Sequence, residues 1–108
     1  MNVFKEIQNG RPYDIRDPEY QRDVHGEINR CDHLCWLIRQ TDPSDRDRLC
    51  ALEAELFQNT QGSGTYLTPP FFIDCASQVK LGSNVYINHN ATMMSLGGIE
   101  IESGVMIG

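Results

Sequence analysis

The sequence predicts an α+β chain in which a helical segment leads into the first coils of a three-sided parallel β-solenoid. Two periodicities, and the break between them, carry this prediction. Up to about residue 60 the apolar residues recur at steps of three and four, the spacing of one helix face. From Leu81 onward aliphatic residues recur at steps of six. The change falls near Gly62-Ser63-Gly64, which divides the chain into a helical region, residues 1–60, and a solenoid region, residues 61–108.

The helical region reads as one short and two long helices. The short one covers Val3 to Gln8 and ends at Asn9-Gly10, a pair suited to the left-handed conformation at a helix C-terminus. Pro12 then opposes continuation. The second helix starts at Asp17-Pro18-Glu19. Asp17 can accept from the free N–H groups of the first turn, and Pro18 suits a position whose N–H has no partner. Tyr20, Val24, Ile28, Cys31, Leu34, Cys35 and Ile38 form its apolar stripe. Asp42-Pro43 repeats the start signal for a third helix, with Leu49, Leu52, Leu56 and Phe57 as the buried stripe. Neither stripe can stay in water, so the two long helices should pack as a hairpin against the rest of the chain.

In the second region, Leu81, Ile87 and Met93 are six apart, as are Ile101 and Ile107, with Ser95-Leu96-Gly97-Gly98 as an interruption. A step of six fits neither a helix nor a flat strand. It fits a triangular coil in which each side is one hexapeptide and its aliphatic residue points into the prism. The fifth position of each unit is small or β-branched, as at Val85, Ala91 and Val105, which suits the tight corner. Nearby Asn and Gly tolerate the corner's dihedrals.

Composition narrows the function. The balance of 40% hydrophobic and 22% charged residues is that of a globular chain. Net charge is −6, and the basic residues are interleaved with acids, as in Arg46-Asp47-Arg48. That argues against nucleic-acid binding, which needs clustered basic residues. No apolar run approaches the ~20 residues needed to span a bilayer, and no secretion signal is visible at the N-terminus. The expectation is a cytoplasmic protein with neither a membrane nor a nucleic-acid partner. Cys31, Cys35, Cys50 and Cys75 contain no CxxC pair. Cys31 and Cys35 read as small buried hydrophobes on a helix face, and no metal site is expected.

Several segments together resemble the maltose and galactoside O-acetyltransferases, of the hexapeptide-repeat acyltransferases. They are Gly10-Arg11-Pro12-Tyr13-Asp14-Ile15-Arg16-Asp17-Pro18-Glu19, then Thr41-Asp42-Pro43-Ser44-Asp45-Arg46, then Pro69-Pro70-Phe71 with Asp74, and Tyr86-Ile87-Asn88-His89-Asn90. The order and spacing of these segments carry the resemblance, which covers nearly the whole chain. It implies a left-handed parallel β-helix, a homotrimer with active sites between subunits, and acetyl-CoA as co-substrate. It also implies transfer of acetyl to a sugar hydroxyl, with a histidine as general base.

By the same resemblance Asp14, Asp74, Tyr86 and Asn88 face the acceptor. Each has a plainer reading. Asp14 could hold a turn ahead of Asp17, Asp74 could hold a coil corner, Asn88 could be a corner residue, and Tyr86 could pack on the coil surface. The chain departs from the family in having Cys75-Ala76 after the aspartate and Ser95-Leu96-Gly97-Gly98 where an acidic residue is common. The resemblance places the family's catalytic histidine beyond the position matching Gly108. Of His25, His33 and His89, two lie on the second helix, and His89 matches a position that is not catalytic. These 108 residues are therefore expected to stop before the base and before most of the coils that bind CoA, and to be inactive alone. The competing expectation is a non-catalytic remnant serving as an oligomerisation or sugar-binding module.

Overall fold

The computed structural model describes residues 2–108. Three helices come first: α1 (Val3–Gln8), α2 (Pro18–Gln40) and α3 (Arg46–Leu56). Seven short strands come after them: β1 (Tyr66–Leu67), β2 (Phe71–Ile73), β3 (Val79–Leu81), β4 (Tyr86–Ile87), β5 (Ala91–Met93), β6 (Ile99–Ile101) and β7 (Met106–Ile107).

The helix starts obey the capping logic, with one shift. Asp17 accepts from Glu19 N at 2.8 Å and Pro18 opens α2. Gly10, at φ +79°, ends the turn after α1, where its N–H bonds Ile7 O at 2.9 Å. The expected third start at Asp42-Pro43 is displaced. The Asp42 carboxylate accepts from Ser44 N at 2.9 Å and from Ser44 Oγ at 2.8 Å, which folds these residues into a turn. Asp45 then becomes the cap, accepting from Arg48 N at 3.2 Å. Two aspartates compete for one helix start, and the side-chain turn at the first leaves the start to the second. Among the described residues no helix is long and apolar enough to cross a membrane.

Among the described residues the strands pair only in parallel, into three sheets ordered β1-β4-β7, β2-β5 and β3-β6. Every partner lies 20 residues away, as in Tyr66 with Tyr86, Phe71 with Ala91 and Val79 with Ile99. One coil is thus two residues longer than three sides of six. The extra length sits at the same corner in each coil, in residues 74–78 between β2 and β3 and in residues 94–98 between β5 and β6. The interruption read at Ser95-Leu96-Gly97-Gly98 is therefore a regular part of the coil, and in the first coil Ala76–Gln78 fill it as a 3-10 turn.

The aliphatic residues spaced by six fill the prism. Leu81, Ile87 and Met93 are buried, and Leu67, Ile87 and Ile107 stack in register. Ile107 is the last layer of that stack and stays 38% exposed. A second corner stacks Gly64, Asn84 and Gly104, all at positive φ, the left-handed conformation that Gly and Asn accept most easily. Beside it, a Cβ on Gly82 would lie 2.5 Å from Ser103 N, so the coils approach there as only glycine allows.

One core joins helices and coils. Cys31, Leu34, Cys35 and Ile38 of α2 and Leu49, Leu52 and Leu56 of α3 pack in the same cluster as Phe71, Ile73, Val79 and Ile87. Arg30 fixes the hairpin from inside α2. Its guanidinium donates to Leu56 O at 3.1 Å and Glu55 O at 3.2 Å at the end of α3, and pairs with Glu27 at 2.8 Å. Glu27 in turn accepts from Ser77 N at 2.8 Å, tying the helix to the long coil corner. All four cysteines are free. Burial pushes the Cys31 and Cys75 thiols up to about 12, so both stay protonated and behave as apolar packing groups.

Candidate functional site

Each of the four candidate residues is positioned by a different piece of local structure. Asp14 lies in the loop between α1 and α2. It accepts from Arg16 N at 2.8 Å and pairs with the Arg16 guanidinium at 3.0 Å. That hydrogen bonding holds the Asp14 carboxyl below its ordinary range. With Glu6, Pro12, Tyr13, Asp17 and Glu19 it lines an open cleft of about 380 Å³. Its geometry is that of a turn held by a carboxylate, and the residue is exposed.

Asp74 lies at the long corner after β2. Its Oδ1 accepts from Ser95 N at 2.8 Å, linking the first coil to the second. Ser95 is fully buried. Its Oγ accepts from Cys75 N at 3.2 Å and sits 2.7 Å from Cys75 O and 3.1 Å from Asp74 Oδ1. A hydroxyl has one proton, and the shorter contact gives it to Cys75 O. Ser95 therefore pairs with both backbone groups of Cys75, whose carbonyl also accepts from Gln78 N at 3.0 Å, and Asp74 holds Ser95 in place. Ser95→Ala should destabilise the chain by about 1–3 kcal/mol, because it strands the buried Cys75 N–H and removes one of the two donors to Cys75 O. Urea unfolding would measure this, and a loss under ~0.5 kcal/mol would contradict the role given to Ser95.

Tyr86 and Asn88 sit together on the outer face of the β1-β4-β7 sheet. Strand alternation sends Ile87 inward and its two neighbours outward. The Tyr86 hydroxyl lies 3.0 Å from Thr68 Oγ1 and donates to Asn88 Oδ1 at 3.4 Å. The Tyr86 ring stacks on Tyr66 with centroids 6.2 Å apart. Arg46, from the start of α3, closes the row. Its guanidinium lies 3.8 Å from the Tyr66 ring centroid and hydrogen-bonds the Tyr66 hydroxyl.

Of the four, then, the fold brings Tyr86 and Asn88 together, while Asp14 hydrogen-bonds within its own loop and Asp74 bonds across the coils to Ser95. Tyr86, Asn88 and Asp74 do not line the Asp14 cleft. They are also absent from the cleft of about 540 Å³ around Lys80, Glu100 and Ser103, and from the apolar one of about 430 Å³ around Ile87, Met93 and Ile107. Sequence reading gives no site role to Arg46, Tyr66 or Thr68. The signal for Tyr66 was present, because Gly62-Ser63-x-x-Tyr66 repeats 20 residues on as Gly82-Ser83-x-x-Tyr86. Among the described residues no group of three His, Cys, Asp or Glu is placed to hold a metal.

No family model matches the chain. A Staphylococcus aureus (strain MRSA252) protein named "Putative acetyltransferase" is 37% identical over 83 residues, which are 77% of this chain and 41% of that protein. A Staphylococcus haemolyticus protein of the same name is 39% identical over 78 residues, 72% of this chain and 40% of that protein. Nodulation protein L of Rhizobium leguminosarum bv. viciae is 29% identical over 101 residues, 92% of this chain and 50% of that protein. The chain thus spans between two fifths and half of the length of these relatives. Among solved structures, a hexapeptide-repeat-containing acetyltransferase of Vibrio cholerae, crystallised with acetyl coenzyme A, superposes with a TM-score of 0.73 at 23% identity. That match covers all of this chain and 55% of the other. By sequence the chain is thus similar to part of proteins named as acetyltransferases, and by fold to part of a hexapeptide-repeat acetyltransferase.

Proposed function

We propose that these residues are part of an acetyl-CoA-dependent O-acetyltransferase of the maltose and galactoside kind, which transfers acetyl to a sugar hydroxyl. The observation that carries the reading is the Tyr86-Asn88 pair, on the outer face of a parallel coil whose fold matches that of an acetyltransferase. The coils wind left-handed in this reading, and the working unit is a homotrimer with its sites between subunits. Tyr86 and Asn88 offer an acceptor sugar a hydroxyl and an amide, while Asp14 and Asp74 join them in the assembled site.

The chemistry needs a base that takes the proton of the sugar hydroxyl. The oxygen then bonds to the acetyl carbon, the C–S bond breaks, and the base returns its proton to the CoA sulfur. Donors around the carbonyl oxygen would stabilise its developing charge. We assign the base to a histidine outside these 108 residues, and most CoA contacts to further coils.

The test joins residues 1–108 to the portion of the S. aureus relative that lies beyond its matched stretch. Thiol release from acetyl-CoA is then monitored against a panel of sugars. Sugar-dependent release is expected from the fusion and none from residues 1–108 alone, with a loss of about 10²-fold in the fusion on Asn88→Ala. A fusion that folds but releases no thiol with any sugar would refute the proposal. Turnover by residues 1–108 alone, abolished by replacing His89, would refute the assignment of the base.

A further inference from the structure

His89 comes directly after Asn88 on the same corner, and its side chain is exposed. The His89 backbone N–H donates to Asn88 Oδ1 at 2.9 Å. An N–H can only donate, so the atom it meets is the amide oxygen, not the nitrogen. The ring nitrogen Nδ1 of His89 lies 2.9 Å from that same oxygen. An amide oxygen carries no proton, so Nδ1 must supply one. The Tyr86 hydroxyl, 3.4 Å from the same oxygen, helps hold the amide in this orientation.

The neutral imidazole of His89 is thereby set as the Nδ1–H tautomer, and Nε2 is left with an outward lone pair. Among the described residues Nε2 has no hydrogen-bond partner. His25 and His33 differ: they rest against Tyr20 and Trp36, with centroids 5.8 and 6.1 Å apart.

We propose that His89 is a hydroxyl-recognition residue of the acceptor site, its Nε2 accepting a hydrogen bond from a ligand O–H beside Tyr86. This rests on the reading that Tyr86 and Asn88 face the acceptor, and it adds a residue that the family resemblance leaves without a role. A fixed lone pair selects ligands that donate. A neutral polyol or pyranoside meets that demand, whereas a carboxylate or phosphate brings only acceptors and is disfavoured while the ring is neutral.

Side-chain ¹H–¹⁵N correlation spectra of the 108-residue chain at pH 8 read the tautomer directly. His89 is expected in the Nδ1–H form, and Asn88→Ala is expected to return it to a mixture dominated by Nε2–H. If that variant fails to fold, Asn88→Ser serves the same purpose. In the fusion, titration with methyl glucopyranoside is expected to shift the His89 Nε2 resonance saturably, and His89→Phe to weaken that binding about fivefold or more. Three outcomes overturn the inference: an Nε2–H form dominating in the unsubstituted chain, glycoside binding by the fusion that leaves His89 unmoved, or no saturable glycoside binding by a fusion that releases thiol. None of these touches the acetyltransferase reading, which is decided by thiol release from the fusion.

Discussion

Glu53→Gln should make the chain about 3 kcal/mol more stable at pH 8 while changing little near pH 4. Glu53 lies on the buried face of α3 at 5% exposure, and its Oε1 has no partner among the described residues. Burial raises its carboxyl from 4.5 to about 7, against the opposing pull of the Leu67 N–H and the Arg46 charge. Leu67 belongs to β1, at the edge of the β1-β4-β7 sheet. The raised value fixes the sign. The folded state keeps the proton up to about pH 7, whereas the unfolded chain releases it near 4.5. Stability is therefore greatest below pH 4.5 and falls as pH rises from 4.5 to about 7. Glutamine resembles the protonated acid and cannot ionise, so the variant should lose this slope. Urea unfolding from pH 4 to 8.5 measures it, and parallel profiles for the two chains would contradict the assignment.

Ile87→Ala should destabilise the chain by about 3–4 kcal/mol, a large share of the ~5–15 kcal/mol that typically holds a domain together. Ile87 is fully buried and stacks between Leu67 and Ile107 at the centre of the prism. Truncation removes apolar contacts with the Leu67 and Ile107 layers and enlarges the apolar cleft that Ile87 lines. Met106, on the same sheet but facing out at 77% exposure, is the matched control, and Met106→Ala should change stability by less than ~0.5 kcal/mol. Equal effects at the two positions would mean that the inward-outward alternation is wrong. Denaturant midpoints at constant m-value would decide it.

Much of the fold was legible because it depends on near neighbours in sequence. Cap, proline and glycine signals located α1 and the start of α2, and the apolar stripes named the buried faces of both long helices. The six-residue step placed Leu81, Ile87 and Met93 in the prism. The first coil carries the same six-residue step at Leu67, Ile73 and Val79, but Pro69-Pro70 and the corner at residues 74–78 interrupt its strands. Its match to the second coil lies 20 residues away, beyond the reach of helix or strand periodicity. The third helix start was misplaced because Asp42 and Asp45 are both sound caps, and only the Ser44 hydrogen bonds decide between them.

The candidate site divides along the same line. Residue types in sequence could nominate Asp14, Asp74, Tyr86 and Asn88, and alternation along β4 put the last two on one face. Sequence could not say that Ser95 holds Asp74 from the next coil, or that Arg46 reaches Tyr66 from another element.

By itself, then, the sequence determined the helical region, the six-residue coil step and the side chains that must leave water, because each arises from local backbone preference and burial. Tertiary structure alone decided the burial of Glu53 on α3, the reach of Arg46 to Tyr66 and the bond from Ser95 to Asp74 across the coils. Those depend on distances between chain segments, which no pattern along the chain encodes.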